Sequence, residues 1–295
     1  MLLDLAHDAM KNGSVMRAVY EQPALARQDG LWMLNNKRWG RIGGINGHGY
    51  NLTIGKDFLF DEHGYYGLLF DYGSNTVSGA AGSGEYDSYS LGLYAGNKNK
   101  PGSITGFVSY GLQANKGTAY LPVLGQTAES GYDSKTLGIG VEYAYDLDYG
   151  KPEELWHVSP YARLNFTHLY GQKAFREHGA GVFDRSFGSY SDNYAEGELG
   201  LSFDRSEGTG GYGIRLGYKR ILAGERQLME VCFAEDECGP LLPVRSWGEG
   251  RNHFVAAAYV RHDFSRKWSA GGSLSGDWSN GGREIGARLD LAYHF

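Results

Sequence analysis

At 295 residues, with 46 glycines and only 7 prolines, the chain suits one large β domain or two smaller ones and is unlike a proline-rich disordered segment. A formal net charge of −6 with no basic run excludes a nucleic-acid surface, whose phosphates demand clustered Lys and Arg. Mean hydropathy of −0.43 and the lack of any run near ~18 apolar residues exclude a membrane-spanning helix, though not membrane-spanning strands, in which alternate residues face a polar interior.

Residues 1–28 are the one stretch of helical character. Leu2, Leu3, Leu5, Ala6, Ala9 and Met10 mix with Asp4, Asp8, Lys11 and Arg17, and β-branched residues are few. Asn12-Gly13 is a weak point and Pro23 ends the pattern. Roughly seventeen helical residues would span ~25 Å. The start has Asp4 and no basic flank, unlike a secretory signal peptide, so any such leader is expected upstream.

From Gly30 onward, twelve segments alternate with a period of two: 31–41, 50–58, 65–74, 87–97, 103–116, 135–147, 156–170, 193–204, 211–222, 252–264, 268–278 and 283–295. The sixth is the cleanest, with Leu137, Ile139, Val141, Tyr143 and Tyr145 against Gly138, Gly140, Glu142 and Ala144. The polar parities of the later segments carry Arg163, Glu196, Glu198, Arg215, Lys219 and Asp277. In the last segment Ile285, Ala287, Leu289, Leu291, Tyr293 and Phe295 share one face, while Glu284, Gly286, Arg288, Asp290 and His294 share the other.

The connections follow a rhythm. Those after the second, fourth, sixth, eighth and tenth segments are mostly short, whereas 77–86, 117–134, 171–192 and 223–251 read as long loops. Short turns at one end and long loops at the other is the plan of an outer-membrane barrel, and an even strand count puts both barrel ends on the short-turn side. A soluble sandwich would bury these repeated charges in a dry core, which their desolvation forbids. The expected fold is therefore all-β: a 12-stranded antiparallel up-and-down transmembrane β-barrel over residues 29–295, with residues 1–28 as an N-terminal helical segment. Cys232 and Cys238 lie close in the longest loop; in an oxidising compartment they would pair, and half a metal site is the alternative.

This arrangement resembles the C-terminal translocator domain of the autotransporters of type V secretion. The closing residues Glu284, Gly286, Leu289 and Leu291, continued by Tyr293 and Phe295, are similar to the assembly signal that outer-membrane barrels present to the barrel-assembly machinery. The resemblance implies an integral protein of a Gram-negative outer membrane, monomeric and surrounded by lipid, with a passenger domain attached upstream and no enzymatic role or cofactor. It further implies that the helix threads the lumen, where Asp4, Asp8, Lys11 and Arg17 would meet Glu142, Arg163, Glu196, Glu198, Arg215 and Arg288. The plain alternative is that these wall charges pair across neighbouring strands. Family members that cut their passenger inside the barrel use asparagine chemistry. The helix here has only Asn12, and the pair Asn35-Asn36 falls in the first strand, so such cleavage is not expected.

Two other functions fit a barrel. A solute channel would have no need of residues 1–28. A phospholipase-like barrel enzyme would need a base beside a serine such as Ser279, yet no His lies two residues before it, and Ser279-Asn280-Gly281-Gly282 reads as a turn.

Overall fold

The computed structural model of the chain describes residues 2–11, 19–20, 29–97, 101–122, 125–148, 151–152, 155–225, 228–233, 242–246 and 248–295. A helix, α1 (Leu2–Lys11), is followed by strands β1 (Gly30–Ile42), β2 (Ile45–Leu59), β3 (Gly64–Gly79), β4 (Gly82–Asn97), β5 (Gly102–Leu121), β6 (Gln126–Tyr145) and β7 (His157–Gln172). Then come the short β8 (Phe175–Arg176) and β9 (Arg185–Phe187), the long β10 (Tyr190–Glu207) and β11 (Gly210–Ala223), and the short β12 (Leu228–Phe233) and β13 (Leu242–Arg245). β14 (Asn252–Asp263), β15 (Trp268–Ser279) and β16 (Gly282–His294) complete the chain.

The twelve long strands form a closed antiparallel barrel, one for each of the twelve alternating segments. Its seam joins β1 to β16 in register from Gly30 opposite His294 to Ile42 opposite Gly282. Closure leaves no unpaired edge in the membrane, where every unsatisfied backbone group would be costly. On β16, Ile285, Leu289 and Leu291 point outward, as does Phe295 just after it, while Glu284, Gly286, Arg288, Asp290 and His294 are buried on the inner face.

Outward aromatics mark two levels. Trp39, Tyr50, Tyr89, Tyr110, Tyr218, Phe254 and Trp278 lie toward the end that bears the larger loops. Phe60, Tyr66, Tyr143, Tyr145, Phe264, Trp268 and Phe295 lie toward the short turns. Trp268 and Trp278 are ten residues apart on one strand. At ~3.3 Å per residue and a ~40° tilt their separation across the membrane is ~25 Å, the height of a barrel's apolar band. Leu68, Leu91, Leu164, Leu199, Leu274 and Leu289 occupy that band.

Two of the four expected long loops are not loops. β3 runs to Gly79 and β4 starts at Gly82, while β5 and β6 each have 20 residues, β5 running to Leu121 and β6 starting at Gln126. Strands of that length project ~50 Å along the barrel axis, about twice the apolar band. Beyond the membrane their parity inverts: Val77, Tyr86, Ala119, Ala128 and Tyr132 face inward, and Glu85, Lys116 and Glu129 face out. With water outside instead of lipid, the outer face becomes polar, and an alternation read from the membrane segments no longer continues.

The remaining long connections, 173–189 and 224–251, carry the small sheet ordered β13-β12-β9-β8, tied to β6 by a bridge between His178 and Glu129. Its inner residues Phe187, Met229 and Val231 cluster with Val77, Tyr86, Tyr132, Leu169 and Tyr194 of the wall, and with Ala9 and Met10 of α1. The helix therefore lies in the long-loop half of the barrel, beneath this sheet. Cys232 on β12 is disulfide-bonded; Cys238 lies outside the described residues.

Candidate functional site: the lumen and its helix

The lumen is filled in layers. Toward the short turns, Trp32, Leu34, Tyr65, Leu69, Tyr94, Phe107 and Ala292 form an apolar cluster with Val19 and Tyr20, which are helical like α1. Trp32 Nε1 donates to Asp57 at 3.0 Å, and the Tyr94 hydroxyl donates to the same carboxylate. Inward glycines make room for these rings: a Cβ on Gly55 would sit 2.1 Å from Trp32, and one on Gly67 2.2 Å from Tyr94. The sequence's joint wealth of Gly and Tyr has this packing as one cause.

Above that cluster lies an ionic layer across β6, β7, β10 and β11. Arg163 donates through Nε and a terminal nitrogen to Glu142 at 3.0 and 2.7 Å, and through its other terminal nitrogen to Glu198 at 3.4 Å. Arg215 donates to Glu142 at 2.9 Å, and the Tyr161 hydroxyl to Glu198 at 2.6 Å. Tyr20 sits against this layer. Its ring lies 4.6 Å from the Arg163 guanidinium carbon and packs edge-on to Phe107, and its carbonyl accepts from Arg215 at 3.3 Å. A second group joins Lys219 to Glu196 at 3.6 Å and to Asp277, and His253 Nδ1 approaches Asp277 at 2.6 Å.

At the level of α1, His7 and Lys11 are buried at 2% and 4% exposure, and both reach Glu249: His7 Nε2 at 3.2 Å, Lys11 through a close ion pair. The Tyr194 hydroxyl is 3.3 Å from the same carboxylate. Burial opposes charge on Glu249, but the Lys11 ammonium and then His7 outweigh it and hold the carboxyl well below the usual carboxylate range. On the other side of α1, Asp8 accepts from Tyr86 at 2.7 Å and lies 3.8 Å from Arg38. Arg38 also donates to Asn75 at 2.6 Å and to Glu284 at 3.4 Å.

The six wall charges singled out from sequence all face the lumen, but the helix charges find other partners. Glu142, Arg163, Glu198 and Arg215 pair with one another, because Glu142 stands opposite Arg163, and Arg163 opposite Glu198, on adjacent strands. Glu196 pairs with Lys219, and Arg288 lies 3.7 Å from Asp290 on its own strand. Asp8 and Lys11 turn instead to Arg38 and Glu249. The Asp4 side chain, Asn12 and Arg17 lie outside the described residues. Asn35 is in β1 and donates outward to Tyr50. Arg38, Glu249, Tyr20 and His253 were not singled out. Arg38 was accessible to a parity count on β1; Glu249, in a loop between two glycines, gave only the hint of a lone charge with room to bend.

Ser279 closes the β15–β16 turn: its hydroxyl donates to the Glu249 carbonyl and accepts from Gly282 N–H at 3.0 Å. Tyr293 packs between Trp268 and Phe295, with ring centroids at 4.8 and 5.6 Å.

The family model described as the autotransporter β-domain matches residues 31–275. The chain belongs to the autotransporter β-domain family. This β-domain is an integral protein of the Gram-negative outer membrane that serves secretion of a passenger domain to the cell surface. It is similar in structure to the translocator domain of autotransporter NalP from Neisseria meningitidis, at 19% identity and TM-score 0.78, covering 99% of this chain and 98% of that one. The β-domain of the Bordetella autotransporter BrkA is 14% identical with TM-score 0.69, covering 91% and 100%. The transport unit of AIDA-I from Escherichia coli is 12% identical with TM-score 0.63, covering 98% and 99%. No curated protein sequence matches the chain.

Proposed function

We propose that residues 1–28 form a linker that stays in the lumen after secretion, stoppers the β-domain and tethers the passenger. The observation that carries this reading is the burial of α1 and Tyr20 among charged residues of the wall and of the loop before β14 that match them. His7 and Lys11 sit on Glu249, Asp8 on Tyr86 and Arg38, and Tyr20 between Phe107 and the two arginines. A buried ammonium without a partner would cost several kcal/mol, and these contacts offset that cost for the helix inside the lumen. On this reading the β-domain works as a monomer by conveying a chain and has no catalytic step or cofactor. Glu284, Gly286, Leu289, Leu291, Tyr293 and Phe295 act as its address to the barrel-assembly machinery, and the pair Cys232–Cys238 staples the outer loop.

Planar-bilayer recording tests the plug. The full β-domain should conduct weakly, and deletion of residues 1–22 should raise conductance severalfold. Equal conductance of the two forms would contradict the plug and favour a plain solute channel.

A further inference from the structure

The helix is not held by the barrel wall alone. We infer that the segment 248–251, between β13 and β14, is a latch that locks the plug from the outer side, with Glu249 as its positioning residue. The inference rests on the plug reading and goes beyond it, because it assigns the locking to one loop contact.

The segment is seated on the rim by its backbone. The Glu249 carbonyl accepts from Gly281 N–H at 3.2 Å and from the Ser279 hydroxyl, and the Arg251 carbonyl accepts from Ile221 N–H at 2.9 Å. Its fit there is close: a Cβ on Gly281 would stand 2.5 Å from the Gly248 carbonyl oxygen. Gly250 turns the chain with φ of 88°, a left-handed conformation that glycine adopts without strain, and its carbonyl meets His253 Nε2 at 3.0 Å. The backbone is thus fastened to β11 and to the β15–β16 turn, while the side chain points down into the lumen at 1% exposure. There it meets two side chains of α1, His7 and Lys11, one turn apart on the same helix face.

This division of labour is what a latch requires. Rim bonds hold the backbone, whereas the carboxylate has its ion pair with Lys11 and its contact with His7 only while α1 is in place. A chain in transit would find Glu249 without Lys11 and His7, left with the Tyr194 hydroxyl and the more distant charge of Lys219. A carboxylate so poorly paired would swing its side chain outward into water about the fastened backbone. Return of α1 restores the pair and closes the mouth. Strength follows from isolation: the contact is desolvated and charge-assisted, unlike a rim pair such as Arg251 with Glu225, where Arg251 stays exposed.

The test compares single-channel recordings of wild type, Glu249→Gln and Lys116→Ala, each with and without residues 1–22, and of Lys11→Met in the full chain. Folding is read separately from the heat-dependent gel mobility of the barrel. Glu249→Gln and Lys11→Met should each raise the frequency of full opening about tenfold without changing that mobility. Lys116→Ala, at an exposed pair with Glu85 on the outer face, should leave gating as in wild type, and Glu249→Gln should add nothing once residues 1–22 are gone. Lys11→Met leaves the barrel sequence untouched, so a folding failure of Glu249→Gln would not leave the question open. If deletion opens the pore but neither substitution does, or if Glu249→Gln raises opening further in the deleted form, the latch is overturned while the plug stands. If deletion itself changes nothing, the plug reading fails first.

Discussion

Arg163 links two neighbouring strands of the wall to Tyr20. It grips Glu142 through two nitrogens, reaches Glu198 with a third and lies against the ring of Tyr20. A planar fork is needed for this, and a lysine ammonium cannot supply it. Arg163→Ala should leave Glu198 without its guanidinium partner, at a cost of roughly 3–5 kcal/mol. Arg163→Lys should recover only part of that. The heat at which the barrel loses its fast gel migration gives the ranking; an alanine variant that melts like wild type would mean the ionic layer is solvated and carries little. From sequence, Arg163 could be placed on the inner face by parity, and so could Glu142 and Glu198. Their mutual pairing could not, because strand register is fixed by hairpin closure and seam, which single-strand patterns do not contain.

At the scale of the element, the strands were legible where lipid wrote them. Alternation of apolar and small residues located all twelve, and the face of β16 was readable to its last residue. The same rule failed above the membrane, where β3 to β6 continue with inverted parity and resemble loops. The small sheet of β8, β9, β12 and β13 was also missed: strands of two to six residues are too short for a period to show. Helix α1 is described over Leu2–Lys11, and the weak point that the sequence offers at Asn12-Gly13 lies outside the described residues. These boundaries make a paired prediction. Leu289 is 71% exposed within the apolar band, so Leu289→Arg should destabilise the inserted barrel by roughly 2–4 kcal/mol. Tyr120 is 46% exposed near the tip of β5, and Tyr120→Lys should stay within about 0.5 kcal/mol of wild type, as a surface change does. Equilibrium unfolding from lipid bilayers measures both. A tolerated arginine at Leu289 would reverse the assignment of faces, and a costly lysine at Tyr120 would move the membrane boundary outward.

As a whole molecule, the β-domain is a barrel whose two ends differ in kind. Both termini of the barrel and the short turns lie at one end, which in the outer membrane is the periplasmic one. α1 lies toward the other, under the sheet formed by the two large loops. A chain running from Gly30 up through Tyr20 to Leu2 therefore crosses the lumen from the periplasmic end toward the cell surface, the direction needed to present whatever precedes it outside. Surface display measures this most directly. An epitope-tagged passenger fused ahead of residue 1 would be probed on intact cells with antibody and with external protease. The account predicts that the tag is stained and released by protease from unpermeabilised cells whose barrels show heat-dependent mobility. Folded barrels whose tag is reached only after the outer membrane is permeabilised would contradict it.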